Sequence, residues 1–441
     1  MPDDLYAGAA AIDVSPRDTQ FLFGYPYVRR YSTGIHDPLL ASALFLNDGH
    51  THLLIIAVDI IFVSKATTAR VRQRIAKATG LEAGNILITA THTHSGPITV
   101  DCLSNADDPI IPKTDPRCLK RLEDGIVQAG RQACAAAAPA EIGLEVADGT
   151  GVGTNRRDPA GPRDPQVPVL LLRSLPDHRP LAAMLVYSMH PTVLHEDSTL
   201  VSGDFPAMTR QYLQEHVLGR DCVVLYHTGP AGNQSPRHVT HGNTFAEAER
   251  LGQMLGQAVA KVTPGISYVR HAFLACAQEF VNPPLRQLPG VAQALTRRDR
   301  VLQKLESLRH AAAPRTEVRT AECDWFGAEE TLTLAQAAMD GRLISAAAAC
   351  LPVEVQVLTI GPWAFVAWPG EMFVEFALQV KERAPNAFVI SMANGELQGY
   401  IVTHQAFEEG GYEASNSLFQ CPEAGDLLVT AAQRLIAKLR A

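Results

Sequence analysis

Charged residues are scarce in this chain. Asp, Glu, Lys and Arg make up 19% of its 441 residues, below the roughly 25% of an average soluble protein. Positive charge is scarcer still: 38 Lys plus Arg face 46 Asp plus Glu, a net charge of -8, so no basic face for a nucleic acid is expected. Sparse charge beside 46% hydrophobic residues is the reverse of a disordered composition. Long apolar runs are missing too. The longest, 52–61 and 181–187, fall well short of the roughly 20 residues that cross a bilayer, so no transmembrane segment is expected. The eight cysteines, Cys102, Cys118, Cys134, Cys222, Cys276, Cys323, Cys350 and Cys421, contain no C-x-x-C pair, which speaks against a cysteine metal site or a disulfide framework. The opening residues Met1 to Tyr6 lack the basic and apolar regions of a secretory leader, and the expected compartment is the cytoplasm.

Several reaction motifs are also absent. Ser235 stands in Gly232-Asn233-Gln234-Ser235-Pro236 and not in the G-x-S-x-G elbow of α/β-hydrolases. There is no H-E-x-x-H helix and no G-x-x-x-x-G-K-[ST] loop, so zincin proteases and P-loop nucleotide enzymes are unsupported. The string Thr91-His92-Thr93-His94-Ser95-Gly96-Pro97 places Gly96 and Pro97 where the H-x-H-x-D-H pattern of metallo-β-lactamases has Asp and His.

What is present is an alternation of two periodicities. Apolar, β-branched runs of strand length recur at 53–60, 85–90, 167–172, 181–189, 222–226, 353–360, 363–368 and 387–392, and helical patterns lie at 67–79, 118–137, 205–217 and 244–262. Such alternation predicts an α/β fold whose strands are buried on both faces: one large domain over 1–441, with a mixed sheet and flanking helices. From 282 to 350 the strand signal vanishes. Leu295, Leu302, Leu305 and Leu308 form a helical stripe, followed by a second helix over 328–339. This is either a helical insertion or lid, or a connecting helical pair packed on the sheet.

Five of the strand patterns run directly into polar side chains: into His92 and His94, into His190, into His227 through Ser235, into Glu371, and into Asn394 through Tyr400. Loops beyond strand carboxyl ends converge over one edge of a rigid scaffold, where α/β proteins bind ligands. Imidazole, carboxylate and phenol oxygen suit a borderline divalent metal, most commonly zinc, which activates water and polarises a carbonyl. Each residue also has a plainer reading. His190 alone suits a core histidine satisfied by a carbonyl, Glu371 a helix N-terminus, and Tyr400 and Tyr412 packing. The spacing of His92 and His94 points both rings to one side of an extended segment.

Together these motifs resemble the catalytic domain of neutral or alkaline, non-lysosomal ceramidases, which are zinc amidases. The resemblance is carried by residues 8–16, Phe23-Gly24-Tyr25, Gly34-Ile35-His36-Asp37-Pro38, the 91–97 string, Asn155-Arg156, Asp164-Pro165-Gln166-Val167, His190-Pro191-Thr192, Ser202-Gly203-Asp204 and Pro369-Gly370-Glu371. It implies His92, His190, Glu371 and Tyr400 as zinc ligands, Ser235, His94 and Tyr412 as catalytic groups, and Arg156 and Gly24 as substrate-binding residues. Two departures concern the substrate: Asn233 replaces an Asp typical of the family, and Gly410-Gly411 precede Tyr412 in place of bulkier polar residues. The immunoglobulin-like C-terminal domain of secreted ceramidases has no counterpart in the sequence.

The resulting expectation is a zinc-dependent hydrolase that cleaves the amide bond of a small-molecule or lipid-like N-acyl substrate, with metal-activated water as the attacking group. Ser235 either orients that water or forms an acyl-enzyme. The alternatives are a zinc esterase or lactonase acting on a small, polar, soluble substrate, and a non-catalytic zinc-binding protein.

Overall fold

The structure is a computed structural model that describes residues 4–440. The ends of the expected 1–441 domain, including the first three residues of the opening segment, lie outside the described residues. Eight strands build the larger sheet: β1 (Tyr6–Asp13), β2 (Leu40–Asn47), β3 (His52–Val58), β4 (Ile86–Ala90), β5 (Ala138–Asp148), β6 (Gln166–Ser174), β7 (Pro180–Tyr187) and β8 (Val223–Thr228). Their order is β8-β7-β6-β5-β1-β2-β3-β4. The central pairs are antiparallel, and the outermost pair at each edge, β7 with β8 and β3 with β4, is parallel. A second sheet holds β9 (Leu274–Val281), β10 (Val353–Ile360), β11 (Trp363–Ala367) and β12 (Ala387–Ile390) in that order, with β11 and β12 parallel.

The mixed α/β class with a large sheet and flanking helices is as expected, and the four-stranded sheet adds a second layer to it. The two sheets pack face to face. Leu53, Ile55 and Ala57 of β3 meet Leu358, Ile360 and Phe365 across an apolar layer shared by both sheets. The alternate residues Leu54, Ile56 and Val58 face outward onto α1 (Lys65–Thr79) and α2 (Pro116–Ala135). The other half of that outer face is covered by α3 (Asp204–Leu213) and α4 (Phe245–Val262). Burial on both faces explains why these strands read as unbroken apolar runs. Phe365, fully buried between the sheets, carries about 3–5 kcal/mol by truncation to Ala.

The 282–350 segment is helical, as expected: α5 (Val291–His310), α6 (Arg315–Asp340) and α7 (Arg342–Cys350). α8 (Val374–Arg383) and α9 (Glu423–Arg440) cover the outer side of the second sheet and share its apolar cluster with α6 and α7, while α5 packs on α6, giving a helix–sheet–sheet–helix order of layers. All eight cysteines are free, and among the described residues no helix is long and apolar enough to cross a membrane.

Candidate metal centre and cleft

The parallel strand pairs set the site, because β4, β7, β8, β11 and β12 deliver their following loops to one region. Beyond β4 the chain does not stay extended. His92 has φ 66°, so the convergence of His92 and His94, with ring centroids 4.9 Å apart, comes from a left-handed turn and not from the alternation expected of a strand. That conformation costs a non-glycine residue of order 1–3 kcal/mol, and the turn is held by His92 N–H donating to Ile60 O at 2.8 Å. The Arg30 guanidinium binds the His94 carbonyl and, at 2.9 Å, Ser95 Oγ. His190 follows β7, and its ring lies 4.7 Å from that of His92.

Each of the three imidazoles donates from Nδ1 to a backbone carbonyl: His92 to Ile61 O at 2.9 Å, His94 to Gly24 O at 3.1 Å and His190 to Ala231 O at 2.6 Å. A carbonyl only accepts, so the Nδ1 atoms hold the protons and the three Nε2 atoms are left as lone pairs. Those lone pairs face one another, with His92 Nε2 3.0 Å from His190 Nε2 and 3.4 Å from His94 Nε2. Glu371 Oε2 lies 3.4 Å from His92 Nε2 and 3.2 Å from His190 Nε2, and no donor reaches it. Burial holds His190 down to about 4 and His94 well below its ordinary value.

Buried acceptors packed against acceptors repel unless a cation lies among them. Donors around a tetrahedral zinc, bonded at about 2.0–2.1 Å, are roughly 3.3 Å apart, and the spacings here are of that size. His92, His94 and His190 thus form a buried group suited to hold a metal ion, and the Glu371 carboxylate stands against His92 and His190. Tyr400 is placed beside Glu371 by a short parallel ladder that pairs the two residues directly. Its ring stands 6.4 Å from His190 and 5.7 Å from Tyr412.

Above this cluster opens a cleft of about 1260 Å³ lined by Gly24, His94, Arg156, Ser235, Tyr400 and Tyr412. Every residue to which the resemblance assigns a role therefore lies in its wall or, for His92, His190 and Glu371, is buried beside His94, whereas His227 and Asn394 bond away from the cleft, to Thr89 and to Ile88 and Gln356. Arg156 stacks over Tyr400 at 5.0 Å and pairs with Glu413 at 2.8 Å, while its Nη2 is buried without a partner. Burial opposes its charge, but Tyr400, Glu413 and Glu371 overcome the cost and raise its pKa. Burial also raises Tyr412, helped by Glu330, so Tyr412 is a protonated hydroxyl. Ser235 pairs with Thr154 on a two-stranded ribbon, and its Oγ accepts Arg237 N–H at 3.1 Å.

Gly24 has a mechanical reason to be glycine: its φ is 131°, and a Cβ there would lie 2.4 Å from His94 Nδ1. Asn233 is a strut, its Nδ2 donating to Glu375 Oε2 at 2.8 Å and its Oδ1 accepting Val374 N–H at 3.0 Å. The motif around Asp37 is likewise a brace. Its carboxylate accepts Ser202 Oγ–H at 2.5 Å and Gly203 N–H at 2.8 Å, which locks the 202–204 turn beneath the histidine loop. Glu413, Glu330 and Arg237 escaped the sequence reading. Glu413 adjoins Tyr412, the only signal available for it. The cleft wall formed by α6, with Arg315, Arg319, Glu322, Cys323 and Phe326, gave none.

A profile of the neutral/alkaline non-lysosomal ceramidase N-terminal domain matches residues 6–236. A curated relative, a neutral ceramidase of Mycobacterium tuberculosis, is 26% identical over 217 residues, which are 45% of this chain and 34% of the relative; the chain thus spans about a third of that protein's length. Among solved structures, a ceramidase complexed with C2 superimposes with a TM-score of 0.76 at 17% identity, covering 99% of this chain and 75% of the other. A neutral ceramidase from Pseudomonas aeruginosa gives 0.75 at 18% identity with the same coverage.

Proposed function

Because the chain belongs to the neutral/alkaline non-lysosomal ceramidase family, we propose that it is a zinc-dependent hydrolase cleaving the amide bond of an N-acyl substrate. The observation that carries the metal is the cluster of lone pairs at His92, His94 and His190 against the donor-less Glu371 Oε2. His92, His190 and Glu371 would hold the ion with Tyr400 as the fourth ligand, and His94 stands within reach of the same point. A bound zinc ion would supply a polarised carbonyl and a water acidified towards neutrality. The reading treats 1–441 as one catalytic domain, supported by the apolar layer that both sheets share.

The chain's own groups have distinct tasks in this reading. Arg156 presents its unpartnered Nη2 to a substrate oxygen. Tyr412 donates its hydroxyl proton as a hydrogen bond where negative charge develops on the scissile carbonyl. His94 Nε2 accepts a proton and returns it to the leaving amine while Nδ1–H stays on Gly24 O. Ser235 Oγ, anchored by Arg237 N–H, orients the attacking group or becomes acylated itself; acyl-Ser235 trapped under slow turnover selects the second course, and its absence the first.

A second reading within the same chemistry, a small polar amide, ester or lactone as substrate, is favoured by the cleft lining. No Leu, Ile or Met is among its residues, and Tyr25, Phe326, Phe373, Phe376 and Val318 line it among many charged side chains. The test combines metal analysis of the purified protein with turnover of short polar and long-chain amides and matching esters. About one divalent ion per chain, lost in His92→Ala together with activity, is expected. Protein that neither holds metal nor loses turnover on chelation refutes the proposal, and hydrolysis of esters with amides untouched replaces amide by ester.

A further inference from the structure

The arginines of the cleft are almost all spoken for. Arg156 pairs with Glu413 at 2.8 Å, Arg157 with Glu409 at 3.0 Å and Glu413 at 3.1 Å, and Arg319 with Glu196 at 2.8 Å and Glu322 at 2.6 Å. Arg315 has no carboxylate but is exposed at the start of α6, where water satisfies it. Arg237 differs from all of these. Its guanidinium is half-buried in the cleft wall, and among the described residues no carboxylate or other acceptor meets it; only its backbone N–H is engaged, on Ser235 Oγ.

Its position is fixed closely. Pro236 opens a short turn over 236–238, and the ribbon pairing of Ser235 with Thr154 holds the chain just ahead of it. Arg237 shares the cleft lining with Arg319, Glu322 and Cys323 of α6. Arg319 and Arg156 are neutralised by their own carboxylates. Arg237 is thus a cationic side chain in the cleft wall, two positions beyond Ser235, with no carboxylate paired to it among the described residues.

A partly desolvated guanidinium with five donors and no acceptor is costly, and a planar oxyanion answers it geometrically and electrically. We propose that Arg237 is a specificity-determining residue that binds an anionic group of the substrate, and that the preferred substrates are amides whose amine portion carries a carboxylate, as in N-acylated amino acids. This rests on the hydrolase reading above and narrows it. The neutral amino-alcohol portion of a ceramide offers Arg237 no such partner.

Three amides with the same short acyl group test it: N-acylglycine, its uncharged glycinamide analogue, and an N-acyl aminoalcohol. The metal-loaded wild type is expected to favour N-acylglycine over the glycinamide by about 10- to 100-fold in kcat/KM, the scale of one charge-assisted hydrogen bond. Arg237→Ala should collapse that ratio towards one through KM, Arg237→Lys should restore part of it, and Arg237→Glu should invert it, with metal content unchanged. A wild type without preference for the carboxylate, or a ratio untouched in Arg237→Ala, overturns the proposal while leaving the hydrolase reading intact. Where none of the amides is cleaved the hydrolase reading fails by itself. Calorimetric binding of N-acylglycine then decides the subsite: binding lost in Arg237→Ala sustains it, and absent or equal binding overturns it.

Discussion

Glu330 on α6 is a buried carboxyl whose protonation the fold controls, and Glu330→Gln exposes that control. Its Oε1 accepts Asn105 Nδ2–H at 3.1 Å and its Oε2 accepts Asn416 Nδ2–H at 3.0 Å, with no cation in contact. Burial therefore dominates, and the group is pushed up from 4.5 to about 7. A carboxyl raised in the folded state stabilises the protein fully below its unfolded value and loses that contribution as pH rises through the folded one. The window here runs from about 4.5 to about 7. Across that window the buried carboxyl's contribution amounts to about 3 kcal/mol, at about 1.36 kcal/mol for each tenfold change in proton concentration. Gln keeps an acceptor for Asn105, and its amide N–H finds Asn416 Oδ1, which has no partner in the native protein. Wild type and variant should thus unfold at similar urea concentrations near pH 5. Above about pH 8 the variant should be the more stable by up to about 3 kcal/mol. A stability difference that stays flat across this range, or a variant weaker at alkaline pH, refutes the reasoning.

Two further substitutions probe the supports of the site. Gly24→Ala forces a side chain onto a residue at φ 131° and into the His94 ring; since positioned proton transfer contributes about 10²–10⁴-fold, kcat should fall about 100-fold or more, and unchanged turnover would remove His94 from the chemistry. Asn233→Asp sets a carboxylate against Glu375 Oε2, now held 2.8 Å from the amide. A loss of about 1–3 kcal/mol near neutral pH is expected, reversed by adding Glu375→Gln, and a thermal midpoint equal to wild type would show that the strut is dispensable.

The strands that deliver the histidines and Glu371 were legible because both their faces are buried, so hydrophobicity alone marks them and the polar residues at their ends stand out. Four other strands of these two sheets, β1, β2, β5 and β9, were not. β1 reads YAGAAAID, a composition of low strand preference, and it is placed by its full antiparallel register with β2. β5 and β9 have exposed or half-exposed faces and give weaker signals. Missing β9 hid the second sheet. The H-x-H spacing gave the right neighbours for the wrong reason, because the left-handed turn at His92 leaves no trace in residue type.

Helix α6 carries the most instructive discrepancy. Its apolar pattern is evident only over 328–339, yet the helix begins at Arg315. In the unrecognised half, Arg315, Arg319, Glu322 and Asp324 face the cleft, with Val318 and Cys323 among them. Binary patterning fails where a helix faces a ligand-sized space instead of a core. The same substitution of charge for hydrocarbon that hid the helix also bears on the substrate, because this wall lines the cleft together with Arg237. An acyl chain laid along it would bury methylenes against ion-paired Arg319 and Glu322 and would gain little of the roughly 0.8 kcal/mol per CH₂ that an apolar groove returns. Lengthening the acyl group of an otherwise good substrate should therefore leave kcat/KM nearly flat. A steep rise with chain length would mean that the hydrocarbon binds elsewhere and that α6 does not govern selection.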